Sequence, residues 1–250
     1  MERLIDLAPG AWILLALAGT IVGLSKTALP GANTISIAVF AAILPARTST
    51  GALLLLLIVG DMFALLSYRR HAHWPTLLRL APAVAAGLVL GAVFLAFAGN
   101  GVVRPVIGAI LLAMTGITLW RRRRAPTAAE PHGHLDTTLG YGTLGGFTTM
   151  VANAGGPVMS LYFLAMRTPV NVFLGTAAWF FAIVNLVKVP VLVGLGLITA
   201  PVLLLDAVLV PMVVLGALFG RWLIPRIHQG VFDRIVLMLT VLGAAYLLIP

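Results

Sequence analysis

GLSKTALPGAN, Gly23 to Asn33, and GGFTTMVANAGGP, Gly145 to Pro157, are the two stretches on which the fold turns. Each interrupts an apolar run with glycine and proline, residues that end or break helices. Each is followed by a short apolar segment, Thr34 to Leu44 and Pro157 to Met166. Those segments are too short to cross about 30 Å of hydrocarbon. Irregular backbone at membrane depth leaves amides and carbonyls unpaired, at several kcal/mol each, unless it is buried in protein or faces a water-filled cavity. Two broken or re-entrant helices in matching places therefore point at one cavity.

Outward from the breaks, the chain reads as a bilayer protein. Of its 250 residues 61% are hydrophobic and 9% charged, with mean hydropathy +1.10, beyond what a water-soluble domain tolerates. A helical span needs about 20 apolar residues. Apolar runs predict helices at Ala11–Thr27, Thr34–Leu44, Thr48–Tyr68, Thr76–Phe97 and Val102–Trp120 in a first half. Runs at Thr138–Ala152, Pro157–Met166, Val170–Leu195, Val202–Ile224 and Phe232–Leu248 follow in a second. Glu2 and Asp6 outweigh Arg3 in the lead-in, unlike the positive start of a signal peptide, so the first run is expected to be a genuine helix.

The halves superpose. Gly19, Thr20 and Gly23 fall on Gly142, Thr143 and Gly146, an offset of 123 residues, and Pro45, Gly51 and Asp61 fall on Pro169, Gly175 and Asn185, an offset of 124. The expected architecture is an all-α polytopic membrane protein of two inverted five-segment repeats, each with a broken or re-entrant helix pair. Its boundaries are an N-terminal repeat over 1–120, a basic loop over 121–136 and a C-terminal repeat over 137–250. The net charge of +9 sits in short clusters, Arg69-Arg70-His71, Arg121 to Arg124, and Arg221 with Arg226. The positive-inside rule makes their face cytoplasmic and puts both termini outside, in a cell (inner) membrane. The clusters read as topology signals and not as a nucleic-acid surface.

The side chains at the breaks are hydrogen-bonding groups plus one cation: Ser25, Lys26, Thr27, Asn33 and Thr34 in one, Thr148, Thr149 and Asn153 in the other. Gly31, Gly155 and Gly156 let a ligand approach the backbone. Half-helix N-termini at Gly31–Thr34 and Gly155–Val158 would present free N–H groups and positive dipole ends, which favour an anion. Gly, Ser and Thr also simply pack membrane helices, but Lys and Asn beside Pro and Gly are costly for packing alone. Charges inside spans cost at least about 2.5–3.5 kcal/mol and usually serve a pathway or a pair. Lys26, Asp61 and Lys188 are such charges, and Asn185 is the superposed partner of Asp61. Either Asp61 pairs with Lys188, or Asp61 serves as a coupling protonation site and Lys188 as a substrate cation. Asp206, Arg79 and Arg104 lie nearer segment ends and read as interfacial anchors. Lys26→Ala is expected to weaken anion binding more than folding.

Much else is excluded. There is no cysteine, and G-x-S-x-G, H-E-x-x-H and P-loop patterns are missing, so an enzyme, a thiolate metal site and ATP hydrolysis by this chain are not expected. The pairs His71 with His73 and His132 with His134 lie in predicted loops and read as solvated. No cofactor and no metal are implied.

GLSKTALPG, its counterpart TTMVANAGGP and the two halves around an Arg-rich loop resemble the sulfite exporter TauE/SafE family of membrane permeases over nearly the whole chain. The resemblance implies a permease for a small sulfur oxyanion or organosulfonate, such as sulfite or sulfoacetate, usually carried outward. With it, the expected function is secondary transport of a small anion by alternating access. Import of an anion such as thiosulfate or an organic acid, and a non-transporting assembly partner, are the rivals. The expected partners are the anion and membrane lipid, with a homodimer left open.

Overall fold

The computed structural model describes residues 7–97 and 135–228, with positions 230, 231, 234, 235 and 238. Val102–Trp120, the basic stretch through residue 134 with its arginines and His132 and His134, and most of Phe232–Leu248 lie outside the described residues. Among the described residues the structure is helical, without a strand. The helices are α1 (Pro9–Thr27), α2 (Asn33–Ile43), α3 (Ala46–Tyr68), α4 (Trp74–Phe97), α5 (Leu135–Ala152), α6 (Gly155–Ala165), α7 (Val170–Gly194) and α8 (Ala200–Leu223). Boundaries fall within about two or three residues of the sequence expectation.

Five of these elements are long and apolar enough to cross a membrane: α1, α3 with the turn after it, α4, α7 and α8. The protein is a multi-pass membrane protein. Helix α5 has span-like length at 18 residues but is rich in glycine and threonine, and it does not join the five. Helices α2 and α6 have 11 residues each, about 16 Å at 1.5 Å per residue, half of what a bilayer needs. Among the described helices α6 is the most enclosed, while α2 buries about half of its residues and leaves Ile35 exposed. Phe40 on α2, Phe163 on α6 and Phe173 on α7 are fully buried, and the Phe163 and Phe173 rings lie 4.9 Å apart. Leu78, Val89 and Phe97 on α4, and Leu204, Val208 and Leu215 on α8, point outward as a lipid-facing surface. Apolar residues on both faces of these spans are what a bilayer solvent selects.

Prolines inside α4, α7 and α8 do not interrupt them. Neighbouring helices in a membrane bundle keep such helices intact where a free helix would break.

Packing between spans rests on glycine. On α1, Gly23 lies directly on the Val213 carbonyl of α8, while Gly216 of α8 lies on the Thr20 carbonyl of α1. The same arrangement recurs between α5 and α4: Gly146 lies on the Val84 carbonyl, and Gly87 on the Thr143 carbonyl. Removing Cβ lets backbones touch, which is how membrane helices gain dispersion contact without a hydrophobic driving force. The sequence carries the signature as Pro82-x-Val84-x-x-Gly87-x-x-x-Gly91 and Pro211-x-Val213-x-x-Gly216-x-x-x-Gly220.

The Tyr68 hydroxyl donates to the Thr27 carbonyl at 2.9 Å, and the Thr27 hydroxyl donates to the Ala217 carbonyl at 3.0 Å. The C-terminal ends of α1, α3 and α8 thus meet, and exposed Arg69, Arg70, Arg221 and Arg226 share that end. Asp206 departs from the interfacial reading. It is buried within α8, and neither carboxylate oxygen has a hydrogen-bond partner among the described residues.

The glycine contacts make a direct test. Gly23→Leu and Gly216→Leu each drive a side chain into a backbone carbonyl and should lower the thermal unfolding midpoint by about 5–10 °C, on overpacking costs of about 1–3 kcal/mol. Gly10→Leu, with open space around it, should leave the midpoint unchanged. Equal midpoints for all three would show that the close approaches contribute nothing.

Candidate functional site

The two breaks meet. Residues 28–32 join α1 to α2, with Gly31 at φ 114°, a left-handed conformation that suits glycine. Asn153 and Ala154 join α5 to α6, and Asn153 adopts φ 55°, where Asn is the best tolerated non-glycine side chain. The Ser160 hydroxyl of α6 donates to the Pro30 carbonyl at 3.3 Å, and the Asn33 amide donates to the Asn153 carbonyl at 3.4 Å. A Cβ on Gly156 would lie 3.7 Å from the Gly31 nitrogen, so the N-terminal turns of α2 and α6 face each other almost backbone to backbone.

Between them lies a cavity of about 30 Å³, space on the scale of a few water molecules. Its wall is formed by Ser25 and Lys26 of α1, Pro30, Gly31 and Asn33 of the first break, Leu57 and Asp61 of α3, Thr149, Asn153 and Gly156 of the second break, and Ala177, Ala178, Phe181 and Asn185 of α7. One side is polar. The other, Leu57, Ala177, Ala178 and Phe181, is apolar.

The charged groups form one network. Lys26 Nζ lies 2.7 Å from Asp61 Oδ1, a buried ion pair, and 4.3 Å from the centre of the Phe181 ring. The Asn185 amide donates to Asp61 Oδ2 at 2.7 Å. Gly60 clears the space for the Lys26 stem, since a Cβ there would lie 2.8 Å from its Cγ. Lys188 is fully buried on α7 and donates to Asn153 Oδ1 at 2.5 Å, Thr149 Oγ1 at 3.4 Å and Asn185 Oδ1 at 3.4 Å. Three oxygen acceptors match the three protons of an ammonium. The neutral amide of Asn185 separates Lys188 from Asp61, so the direct Asp61–Lys188 pair is not formed. Asn153 is fixed from its other end by donating to the Thr50 carbonyl at 2.9 Å.

The expected site residues divide accordingly. Ser25, Lys26, Gly31, Asn33, Asp61, Asn153, Gly156 and Asn185 line the cavity, with Lys188 directly behind three of its polar residues. Thr27, Thr34, Thr148 and Gly155 do not line it. The Thr27 hydroxyl bonds its own helix and α8, Thr34 donates to the Gly31 carbonyl at 2.7 Å, and Thr148 donates to the Leu144 carbonyl at 2.8 Å. Each hydroxyl satisfies local backbone, as Ser and Thr do when apolar surroundings offer nothing better. Gly155 packs on Thr149. Lys26, expected as the cation for a ligand, already has its counter-charge in Asp61. Phe181 and Gly60 escaped the sequence reading, since neither is polar. The only clue to either was its place, one turn or less from a charged or amide residue on the same span.

His73 is exposed, its ring hydrogen-bonded to Thr76, and no cluster of metal-ligating side chains occurs among the described residues.

Comparison with known proteins agrees with the architecture. Residues 15–247 match the family described as Sulfite exporter TauE/SafE. No curated protein and no solved structure was found to match. That family is one of membrane transporters, which fits a multi-pass bundle closed around a polar cavity. Because the match spans nearly the whole chain, the protein belongs to the sulfite exporter TauE/SafE family.

Proposed function

We propose that the protein is a secondary carrier for a small anion, a sulfur oxyanion or organosulfonate such as sulfite or sulfoacetate, exported by alternating access. The observation that carries the reading is Lys188. It is a fully buried lysine amine whose hydrogen-bond partners among the described residues are all neutral. An uncompensated buried ion costs several kcal/mol, and the counter-charge best placed to offset that cost is an anionic ligand in the adjoining cavity. The facing N-terminal turns of α2 and α6 add positive dipole ends on the same cavity.

The alternating-access part rests on a proposed pair of inverted repeats, 1–120 and 137–250, around the loop 121–136. Supporting it, α1 packs on α8 as α5 packs on α4, through glycines in equivalent places, and α3 packs on α7. Gly51 of α3 lies on the Leu197 carbonyl after α7, and Gly175 of α7 lies on the Tyr68 carbonyl at the end of α3. The shared arginine-bearing end is the cytoplasmic one in this reading. An interior-negative potential then favours anion export by about 2.3 kcal/mol per charge per 100 mV, so no coupling ion is required.

Two measurements test the site. Sulfite, sulfate, thiosulfate, sulfoacetate, taurine and acetate are screened for thermal stabilisation of the purified protein, which a ligand of the folded state produces by mass action. At least one sulfur anion should raise the midpoint of wild type, and Lys188→Met should weaken that effect tenfold or more while still folding. Proteoliposomes loaded with the same anion should release it faster than protein-free vesicles. Stabilisation without flux would favour a non-transporting partner.

The Lys26–Asp61 pair predicts a different outcome. Lys26→Ala strands a buried carboxylate and should cost about 3–5 kcal/mol of stability, whereas Lys26→Met with Asp61→Asn should recover most of it. A single variant as stable as wild type would remove the pair from its structural role.

A further inference from the structure

We infer that two unlike gates close the route between the cavity and the membrane faces, a hydrogen-bonded gate at Tyr68 on the arginine-bearing end and an apolar gate at Leu192 on the opposite end, and that the first opens more readily. This rests on the carrier reading above and adds the path that the ligand takes.

Helices α3 and α7 run antiparallel: Gly175 near the start of α7 lies on the Tyr68 carbonyl, and Gly51 near the start of α3 lies on the Leu197 carbonyl after α7. Each span carries one polar residue of the cavity wall, Asp61 and Asn185, and the two are bonded at 2.7 Å. Tyr68 and Leu192 follow them by seven residues, two turns on the same face and about 10 Å along the axis. Both are buried. Each therefore stands between the cavity and one end of the bundle, and the ends are opposite.

At the first end the Tyr68 hydroxyl donates to the Thr27 carbonyl at 2.9 Å, and the Thr27 hydroxyl donates to the Ala217 carbonyl at 3.0 Å. At the other end Leu192 joins Leu54, Met150 and Leu197 in an apolar cluster apart from the main core, with Leu88 packed against it. On the proposed repeat these are the same positions. The offsets of 123 and 124 residues set Met150 on Thr27 and Leu192 on Tyr68, and the offset of 129 that relates Gly87 to Gly216 sets Ala217 on Leu88. The glycine contacts agree, since a Cβ on Gly220 would meet Thr27 and one on Gly91 would meet Met150.

The two closures differ in what opening costs. Parting Tyr68 from Thr27 hands a hydroxyl and a carbonyl to water, which replaces most of what the bond contributed. Parting Leu192 from its cluster wets hydrocarbon, at a cost that grows with the area exposed. The unliganded carrier thus opens more often toward the arginine-bearing end. The Tyr68 bond also caps α1, whose last carbonyls lack intrahelical partners. A cap alone would not govern access to the cavity from one face.

Access is the test. Ser25→Cys puts a thiol on the cavity wall, and the chain has no cysteine of its own to compete. Its labelling by a charged, membrane-impermeant methanethiosulfonate is timed from each face of vesicles holding the full-length protein, with Arg70→Cys on the exposed turn marking the arginine-bearing face. Without a second substitution, Ser25→Cys should label faster from that face. Adding Tyr68→Phe should raise the rate from that face by about fivefold, the weight of one net hydrogen bond in an equilibrium, and leave the opposite rate unchanged. Adding Leu192→Ala should raise the opposite rate by about tenfold or more and leave the first unchanged. Thr27→Val repeats the first arm should Tyr68→Phe not fold. A rate that rises from both faces in one variant reports general loosening and overturns the gates, as does a rate that rises from neither. Faster labelling of Ser25→Cys alone from the opposite face overturns the order of opening. The readout needs no substrate, so gates that behave as stated while no anion binds or crosses would uphold the route and sink the substrate class.

Discussion

A polypeptide that stops being helical inside a bilayer must cover the backbone it exposes, and the rest of this structure follows from that constraint. Residues 28–32 and 153–154 are two such interruptions. Neither faces lipid. Each is covered by the short helix that follows it and by the other interruption, through the Ser160–Pro30 and Asn33–Asn153 bonds. The short helices α2 and α6 are in turn enclosed by spans, which explains why the largest buried aromatics lie on and around them. Two covered breaks cannot close completely, because helix N-termini repel one another and their first amides lack intrahelical partners. The cavity is the remainder of that incomplete closure, and its polarity comes from the same amides and side chains.

The segment plan was legible because a bilayer demands long apolar runs and punishes everything else, so Pro30, Gly31 and Gly155 stand out as punctuation. The gathering of Lys26, Asn33, Asp61, Asn153 and Asn185 was legible for the same reason, as polar groups at membrane depth have few places to go. Which partner each takes was not. In soluble helices amphipathicity tells which face is inward, but α1 and α5 are apolar or small-residue on all sides. Nothing local therefore separates Ser25, which lines the cavity, from Thr27, which turns to α8. The assignment of Asp61 to Lys26 and not Lys188 depends on Gly60 admitting the Lys26 stem, a tertiary fact with a one-residue signature. Asp206 misled because position along a helix predicts depth and not facing. The Val-x-x-Gly-x-x-x-Gly pattern of α4 and α8 was readable, and it extends the internal match to helices where punctuation alone offered nothing to align.

On the proposed repeat, the charged residues sit where the halves differ. Lys26 superposes on Thr149, Asp61 on Asn185, and Lys188 on Ala64. Had both halves kept Lys and Asp, the cavity would hold two ion pairs and no surplus charge to attract an anion. Two unpaired lysines would confront one another across a small space, with mutual repulsion added to two desolvation penalties. The actual arrangement neutralises one cation completely and surrounds the other with amide and hydroxyl oxygens. Asn185 joins the two arrangements, donating to Asp61 while accepting from Lys188, and a carboxylate at its position would cancel the surplus. In the proposed reading a near-symmetric scaffold supplies two facing helix N-termini, and the departures from symmetry at three positions would supply the sign and the size of the charge between them.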